Sequence, residues 1–351
     1  MSDQQTRPLW RGEGAVRTGG AIAIPAVLAD LGSEPAAVFA EAGVDLRLFD
    51  DPDNLIPFAA LGRLLRVSVV RTGRSDFGLL VGQRGNLSSL GLVGYLAQHS
   101  PDVESALGNV VRYLHHHDRG AVPTMAIEDD RASLGYAIYQ AGVEATDQIA
   151  DGALAIACNM LRTLCGPGWQ PVEVRLAHRP PIDAGPYRRT FRCPVLFAAE
   201  QNCVLFAAQW LRQPLPAADA SLRRILQRQI DELEARDGGD FPAQLRRVLR
   251  TALLTNRATA AAVAQLYSMH SRTLNRRLLE FGTTFQKLVD ETRHEMARQM
   301  LRDSGLTLSE IAAALDYADA SAFSRAFARW SGITPGRWRA NELRRTTRPG
   351  E

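Results

Sequence analysis

The last third of the chain has a strongly helical pattern of apolar and polar residues. From Phe241 onward, apolar residues recur at spacings of three and four, as on one face of a helix. The pattern predicts helices at 241–254, 259–267, 271–281, 284–302, 307–315 and 319–330, and a short last helix at 335–341. The expected N-caps are Thr259, Ser271, Thr284, Thr307 and Asp319, and the expected stops are Gly282, Gly305 and Gly332. We therefore predict an all-α domain.

The preceding region, from about Gly20 to Pro216, mixes helical and strand-like patterns. Residues 91–117 are typical of a helix, a break and a second helix, with an N-cap signal at Ser100-Pro101-Asp102. Alternating or continuous apolar runs predict strands at Met125–Ile127, at Leu134–Ile138, along Val172, Val174 and Leu176, and at Asn202–Ala207. This pattern predicts an α+β domain.

A charged amphipathic helix separates the two regions. It runs from about Ser221 to Arg236 and ends in Asp237-Gly238-Gly239-Asp240, where the glycines indicate a joint. The length of 351 residues also favours two domains. The predicted organisation is a flexible tail at 1–12, the α+β domain at 13–215, a linker helix with its glycine joint at 216–240, the helical domain at 241–340 and a second flexible tail at 341–351.

The net charge of +3 hides an uneven distribution along the chain. Residues 241–351 carry 18 basic and 10 acidic side chains, whereas residues 1–240 carry 23 basic and 28 acidic ones. A basic module joined to an acidic one indicates a polyanionic partner, most often a nucleic acid.

Several functional classes find no support in the sequence. No apolar run reaches the ~20 residues that a membrane helix needs, and the polar start from Met1 to Arg17 lacks the apolar core of a signal peptide, so a cytoplasmic protein is expected. The four cysteines, Cys158, Cys165, Cys193 and Cys203, form no CxxC pair. We expect buried or inert thiols, no cofactor and no catalytic residue.

An approximate internal repeat in the helical region is the strongest signal. The first copy runs from Val263 through a turn to Ser271–Leu278, and the second runs from Ile311 through a turn to Ser321–Phe327. The repeat distance is 48 residues before the turn and 49 after it. Each copy is a short helix, a tight turn and a second helix, which is the helix-turn-helix pattern.

Helical spacing predicts which side chains each second helix presents. Leu274, Leu278 and Phe281 in the first copy, and Phe323 and Phe327 in the second, are expected to point inward. At about 100° per residue, the opposite face then carries short polar residues and arginines that suit the edges of bases in a major groove. The candidate DNA-binding residues are Arg272, Thr273, Asn275, Arg276, Ala320, Ser321, Ser324 and Arg325.

The residues of this repeat are similar to those of a known protein family. Residues 241–340 resemble the DNA-binding domain of AraC/XylS-type transcription regulators, above all in Ser321-x-Phe323-Ser324-Arg325-x-Phe327, Gly332-Ile333-Thr334-Pro335 and Trp338-Arg339. The resemblance implies two helix-turn-helix units bridged by a long helix. Two positions depart from the family pattern. Asp316-Tyr317 replaces Gly-Phe, where we expect Asp to tolerate a left-handed turn, and His294 replaces a Leu, which is expected to loosen the linking helix.

The N-terminal region resembles the effector domain of the ornithine-utilisation-regulator branch of this family. The match rests on Arg192-Cys193-Pro194-Val195-Leu196-Phe197, on Asn202 to Phe206, on Leu211-x-x-Pro214-Leu215 and on the helix from Asp102 to Tyr113. The resemblance implies a regulator that binds a promoter or operator, senses a small molecule, forms a homodimer and engages RNA polymerase, as an activator rather than a repressor. The effector-binding residues stay unassigned.

Two alternatives remain beside this interpretation. A ligand-independent regulator shares the same DNA-binding module. A DNA-alkylation-repair methyltransferase needs a zinc-bound cysteine cluster that the spacing here does not supply.

Consecutive residues on a helix point about 100° apart, so we expect His115, His116 and His117 not to converge on one metal ion. Aromatic residues of the N-terminal domain are expected in its core, or alternatively around an effector: Tyr95, Tyr113, Tyr136, Tyr139, Phe191, Phe197 and Phe206.

Overall fold

The fold comes from a computed structural model, which describes residues 14–138, 140, 142–236, 241–254, 258–266, 270–303 and 306–346. The chain divides into two compact units between Arg236 and Asp237. Within the described residues, no helix has the length and apolar character needed to cross a membrane. The expected N-terminal tail, the glycine joint at 237–240, the stop at Gly305 and Tyr139 lie outside the described residues.

The first unit is α+β, as predicted. It begins with a small antiparallel sheet of β1 (Ala15–Arg17) and β2 (Leu55–Pro57) among helices. The helices are α1 (Ile24–Asp30), α2 (Pro35–Ala42), α3 (Phe58–Thr72), α4 (Phe77–Gln83), α5 (Leu92–Gln98) and α6 (Val103–Tyr113), with 3-10 helices at Thr18–Gly20, Leu46–Asp50, Leu87–Leu90 and Leu114–His116. Apolar faces of α1 to α4 enclose one hydrophobic cluster around Ile24, Phe39, Phe58 and Leu64, whereas α5 and α6 pack into a second cluster that also contains the main sheet.

The predicted helix, break and helix at 91–117 correspond to α5 and α6. Asp102 is the N-cap of α6, because its carboxylate accepts a hydrogen bond of 2.8 Å from the backbone N–H of Ser105. Pro101 lies just before this cap. The 3-10 helix Leu114–His116 then turns the chain toward the main sheet.

Within the described residues, the centre of the first unit is a five-stranded sheet. Its strands are β3 (Ala121–Glu128), β4 (Arg131–Ile138), β5 (Glu173–Arg175), β6 (Val195–Leu196) and β7 (Cys203–Ala207), in the order β3-β4-β7-β5-β6. Only β5 and β6 pair in parallel. The predicted strands are confirmed, but their ends differ. Val172 and Leu176 lie just outside β5, and Asn202 lies just before β7. Val174 and Leu176 are buried as the alternation predicts, whereas Val172 is 42% exposed.

Close backbone contact joins the longest helix of this unit to α4. This helix is α7 (Thr146–Cys165). A Cβ atom at Gly78 would lie 2.1 Å from the carbonyl oxygen of Gln148, and one at Gly82 would lie 2.3 Å from that of Gly152. The glycines therefore let α4 and α7 pack backbone to backbone, while the inner face of α7, including Leu154 and Leu161, enters the main core. The shorter α8 (Gly185–Phe191) follows later in the chain.

The expected linker helix is part of the first unit. It spans Ala220–Arg236 (α9). Leu226 and Ile230 are buried in the core of the first unit, and the amide of Gln227 donates a hydrogen bond of 2.9 Å to the hydroxyl of Tyr113. The predicted linker is therefore not a separate segment. Its apolar face packs against α5 and α6, and the sequence pattern shows that the face is apolar but not what it packs against.

The described second unit is entirely helical, in agreement with the prediction. All its helices contribute to one hydrophobic cluster. They are α10 (Phe241–Leu254), α11 (Ala260–Leu266), α12 (Ser271–Glu280), α13 (Phe285–Asp303), α14 (Leu308–Ala314), α15 (Ala320–Ser331) and α16 (Pro335–Thr346). Side chains of four predicted N-caps accept backbone hydrogen bonds: Thr259, Thr284, Thr307 and Asp319.

Three local predictions in this unit are wrong. His270 rather than Ser271 occupies the N-cap position of α12, without a side-chain cap, because the helix starts at Ser271 itself. Phe281 is 45% exposed rather than inward, because α12 ends at Glu280 and the helical period no longer applies. The last helix continues to Thr346 instead of ending at 341, since residues 337–346 contain neither Gly nor Pro, so the second tail does not begin at 341.

The structure accommodates both departures from the family pattern, Asp316-Tyr317 and His294. Asp316 takes the left-handed conformation, with φ of 60°, as predicted, and the turn ends with the N–H of Tyr317 donating to the carbonyl of Ala312. His294 packs its ring against Phe327 and Trp330, with centroids 5.4 and 5.5 Å away. Burial lowers the pKa of His294, which favours the neutral ring in this aromatic contact.

The turn at Asp316 leads to a prediction of stability. A β-branched residue in a left-handed conformation costs about 1–2 kcal/mol, so Asp316→Val is expected to lower the melting temperature of the second unit. Asp316→Gly removes the backbone strain but also the ion pair with Arg293 at 3.5 Å, a partly exposed pair, so its melting temperature is expected to stay close to that of the parent. Calorimetry of both variants measures this. Equal melting temperatures for the Val and Gly variants would contradict the argument.

Candidate DNA interface and ligand cavity

Helix α12 presents its polar face to solvent. Leu274 and Leu278 are fully buried in the core of the second unit. Their burial fixes the rotation of the helix about its axis. The four residues predicted on the other face are all exposed: Arg272, Thr273, Asn275 and Arg276.

Helix α15 is arranged in the same way. Phe323 and Phe327 are fully buried, with ring centroids 5.9 Å apart, and they hold this helix against the core. On the outer side, Ser321 and Arg325 are exposed, while Ala320 and Ser324 are partly buried. The structure therefore exposes six of the eight predicted residues and leaves Ala320 and Ser324 partly buried, so α15 offers less exposed polar surface than α12.

The arginines of the second unit fall into two groups. Many stabilise the unit: Arg246 and Arg250 form ion pairs with Glu291 and Glu295 at 2.8 and 2.7 Å, Arg277 lies over the Phe241 ring, and Arg339 donates to the backbone carbonyls of Leu301 and Leu306. Within the described residues, the side chains of Arg272, Arg276 and Arg325 take part in no ion pair or hydrogen bond of this kind. They are available to an external partner.

Sequence reasoning missed two further exposed arginines. Arg329 lies one helical turn after Arg325 on the same side of α15, and Arg337 lies in the first turn of α16. Their side chains also have no ion-pair partner in the described part of the chain. The signal was present in the spacing of four residues between Arg325 and Arg329.

Helix α13 lies between the two helix pairs in the chain and is tightly packed. Leu288, Val289, Thr292, Met296 and Ala297 are buried along its length. Ion pairs between Arg246 and Glu291 and between Arg250 and Glu295 hold its outer side to α10. Because α11, α12, α14 and α15 share its hydrophobic cluster, α13 connects both pairs through one core.

The first unit contains a cavity of about 120 Å³. It lies between α3, α4, α6, α7 and the main sheet. Its wall is mostly apolar, with side chains that include Leu61, Leu65, Val81, Val110, Leu114, Leu134, Ile149, Ile156, Ala157 and Met160. Polar lining side chains come from five residues: Arg17, His117, Asp118, Tyr136 and Gln148. A mostly apolar cavity with a few convergent polar groups is typical of a small-molecule site.

Asp118 and His117 are the buried titratable groups of this cavity. Burial raises the pKa of the Asp118 carboxyl to about 6, although it accepts hydrogen bonds from the Tyr136 hydroxyl and from the N–H groups of Gly120 and Ala121. Burial lowers the pKa of His117 to about 4, so its ring is neutral near pH 7. The cavity therefore has a polar end in which His117 carries no charge.

The aromatic residues considered for an effector site have different locations. Tyr136 alone among those described lines the cavity. Tyr113, Phe191 and Phe206 are buried in the main core, as expected. Phe197 packs at the margin of that core and Tyr95 is 49% exposed. The sequence could not identify the cavity residues, because Arg17, His117 and Gln148 are brought together only by the fold.

The rings of the three consecutive histidines were expected to point in different directions, but two of them lie together. The rings of His115 and His116 lie together, with centroids 4.1 Å apart, and their Nε2 atoms lie 3.9 and 4.0 Å from the carboxylate of Glu234 on α9. They converge because the segment is a 3-10 helix and because Glu234 comes from a distant element. The expectation that these histidines do not converge is therefore wrong for His115 and His116, whose ligand atoms and that of Glu234 all lie within 4.8 Å of one another. The contact joins α9 to the 3-10 helix that follows α6, and it is an ion pair when a ring is protonated.

The four cysteines are free thiols. Burial raises the pKa of Cys158 and Cys165 to about 12 and that of Cys193 and Cys203 to about 11. At neutral pH they are protonated, and a thiol is a far weaker nucleophile and metal ligand than a thiolate. These protonated thiols agree with the expectation of inert cysteines.

Comparison with known proteins gives two family matches. Residues 32–215, just over half of the chain, match the arabinose-binding domain found at the N-terminus of AraC transcription regulators. Residues 263–341 match a helix-turn-helix domain. The first match contains most of the cavity wall, and the second contains α12 and α15.

Full-length relatives agree with these matches. The transcriptional regulator VirS of Mycobacterium tuberculosis is 26% identical over 316 residues, which cover 90% of this chain and 93% of VirS. The ornithine utilization regulator of Pseudomonas aeruginosa is 27% identical over 317 residues, covering 89% and 93%. A crystal structure of the regulator CdpR from the same organism aligns over 92% of this chain and 98% of CdpR, with 24% identity and a TM-score of 0.46. The chain belongs to the AraC family of DNA-binding transcription regulators.

Proposed function

We propose that this regulator is an effector-responsive activator that reads DNA through two helix-turn-helix units, α11–α12 and α14–α15, bridged by α13. The observation that supports this proposal is the matching position of Arg276 on α12 and Arg325 on α15, both of which are exposed. Each lies opposite a pair of fully buried residues, Leu274 and Leu278 or Phe323 and Phe327. Because α12 and α15 are rotated in the same way about their axes, both can present a face to DNA.

Each reading helix would enter a major groove with its exposed face. Arg272, Arg276 and Arg325 would pair with guanine edges, since a guanidinium matches the two acceptors of guanine. Thr273, Asn275, Ser321 and Ser324 would contact base edges or phosphates, and Ala320 would allow close approach. We assign Arg329 and Arg337 to the phosphate backbone, because they lie farther from the N-termini of the reading helices.

Helix α13 would set the distance between the two reading helices. Its 19 residues give a length of roughly 28 Å at ~1.5 Å per residue, and one turn of DNA measures ~34 Å. Together with the width of the units, this spacer suits two adjacent major grooves on one face of the duplex. Its buried stripe and its ion pairs to α10 support a rigid spacer.

The first unit would act as the sensor. A small molecule in its cavity would favour one conformation over another and so change affinity for the promoter. By analogy with the family, we propose activation through RNA polymerase and a homodimer. The alternative, a ligand-independent regulator, is less well supported, because its function would not require the cavity with its buried polar end.

We expect the DNA-binding function to be separable from the sensor. A fragment that starts at Phe241 contains every helix of the second cluster and no buried residue of the first unit. It should bind the operator of the full-length chain, with a measurable preference over random DNA in a gel-shift titration. A folded fragment without this preference would contradict the assignment of domains.

Substitution of the three reading arginines tests the proposed interface. Arg272→Ala, Arg276→Ala and Arg325→Ala should each weaken operator binding by ~1–3 kcal/mol, because each removes a base contact. Binding to random DNA should weaken less. Fluorescence anisotropy with both duplexes measures the two effects.

Two matched variants make this test specific. Arg329→Ala should weaken binding to operator and random DNA equally, as expected for a phosphate contact. Arg63→Ala removes an exposed arginine from the first unit and should leave both affinities unchanged. If the reading arginines behave like Arg329, they contact phosphates and do not specify sequence.

The length of α13 predicts the layout of the operator. One subunit should protect two short boxes about 10 bp apart, because successive major grooves on one face recur at that spacing. Insertion of about 5 bp between the boxes turns the second box to the far side of the duplex, so affinity should fall sharply. An insertion of a full turn should also weaken binding, because a rigid helix cannot stretch.

Footprinting and binding titrations on these operators distinguish one reading helix from two. Retained affinity after the half-turn insertion would mean that a single unit reads DNA. Helix α12 would then be that reader, since it presents two exposed arginines near its N-terminus, whereas the N-terminal part of α15 presents Arg325 beside Ser and Ala and its second exposed arginine, Arg329, is assigned to the phosphate backbone.

A further inference from the structure

The hydrogen-bonding capacity of the cavity is concentrated at one residue, because its other polar groups have partners. Arg17 donates to Asp53 at 2.8 Å and to the carbonyl of His116 at 3.0 Å. Asp118 accepts three hydrogen bonds, one of them from Tyr136. The Gln148 side chain accepts from the N–H of Gly78 and donates to the carbonyl of Ser75, both at 2.9 Å.

His117 is the exception. Its side chain lines the cavity and the residue is 6% exposed, yet Nδ1 has no hydrogen-bond partner within the described residues. Burial lowers its pKa to about 4, so near pH 7 the ring offers one N–H donor and one nitrogen acceptor. A buried polar group without a partner costs about 1–3 kcal/mol. Nδ1 itself is inaccessible in this structure, so a molecule in the cavity recovers that free energy when the ring turns this nitrogen toward it.

The charges around the cavity favour an uncharged ligand. Arg17, the permanent cation of the wall, is neutralised by Asp53, and the Asp118 carboxylate is already satisfied by three donors. His117 is neutral. The Asp118 carboxylate is ionised at pH 7.5, because its pKa is about 6. An anionic ligand head would therefore lie beside a buried negative charge in a mostly apolar space, and a cationic head would have to displace the donors that already bond to Asp118, so both are unfavourable.

The size of the cavity limits the ligand further. At about 120 Å³ it is slightly smaller than an apolar cavity of ~150 Å³ that accepts benzene. The space therefore suits one ring or a short branched chain with a single substituent. Gly152, Ala153 and Ala157 of α7 form part of the wall, and their small side chains leave this space open.

We propose that the effector of this regulator is an uncharged, mainly apolar molecule about the size of one substituted benzene ring, whose single hydroxyl group exchanges a hydrogen bond with His117. The inference rests on the proposed effector-responsive function. It adds a ligand class and the residue that selects the polar group of that ligand.

Three probes of equal ring size test the charge argument on the full-length chain. They are benzyl alcohol, benzoate and benzylamine, compared at pH 7.5 by saturation-transfer NMR and by titration. Benzyl alcohol is expected to bind, and the anion and the cation are expected to bind at least about tenfold more weakly. If either charged probe binds as well as benzyl alcohol, or if benzyl alcohol does not bind, the proposal fails.

Two variants locate the probe. Ala157→Leu fills the cavity and is expected to abolish binding of benzyl alcohol. His117→Phe removes the hydrogen-bonding nitrogens while retaining a ring, so benzyl alcohol is expected to bind about fivefold to tenfold more weakly, whereas toluene, which has no hydroxyl, keeps its affinity. Circular dichroism checks that both variants are folded. Unchanged benzyl alcohol binding in both would place the probe elsewhere and overturn the proposal.

Operator binding separates this inference from the proposed function. If the Arg272, Arg276 and Arg325 variants lose operator specificity but benzyl alcohol does not bind, only the ligand class is wrong. If benzyl alcohol binds as expected but leaves operator affinity and transcription unchanged, the cavity accepts the molecule and the proposed effector response fails.

Discussion

The shared hydrophobic core around α13 is the constraint on which the proposed reading surface depends. An isolated helix of ten or twelve residues is marginally stable in water, so α12 and α15 need tertiary packing to persist. Leu274 and Phe323 supply that packing, and they also fix which side of each helix meets solvent. Burial therefore determines stability and the direction of the arginines at once. A substitution in this core would disturb DNA recognition without contacting DNA.

Periodicity predicted the second unit well because its signals are local. Buried and exposed positions of α12, α13 and α15 follow from spacing alone, and N-caps such as Thr307 and Asp319 follow from their own side chains. Errors occur where the period stops applying. Phe281 lies just after the last turn of α12, and α16 continues past 341 because the sequence there contains no strong stop signal. The choice among exposed arginines depends on partners such as Glu291 and Glu295, which periodicity does not show.

The candidate ligand site was not predictable from the sequence, because the residues that form it are distant in the chain. Arg17, His117, Tyr136 and Gln148 belong to separate elements and share no periodic pattern. Their meeting depends on strand pairing and on the close packing of α4 with α7 at Gly78 and Gly82. The histidine segment shows the same limit. A rule for regular helices excluded convergence, but the 3-10 geometry and a carboxylate from α9 bring two rings together.

A cavity inside a folded unit also has a mechanical consequence. Unfolding under hydrostatic pressure is favoured by the loss of internal void volume. The first unit contains the 120 Å³ cavity and a second space of about 220 Å³ between the histidine segment and Ile230 and Leu233 of α9. His117 forms a wall of both. The histidine segment therefore borders unfilled space on two sides, and a molecule that occupies the smaller cavity should make the sensor less compressible.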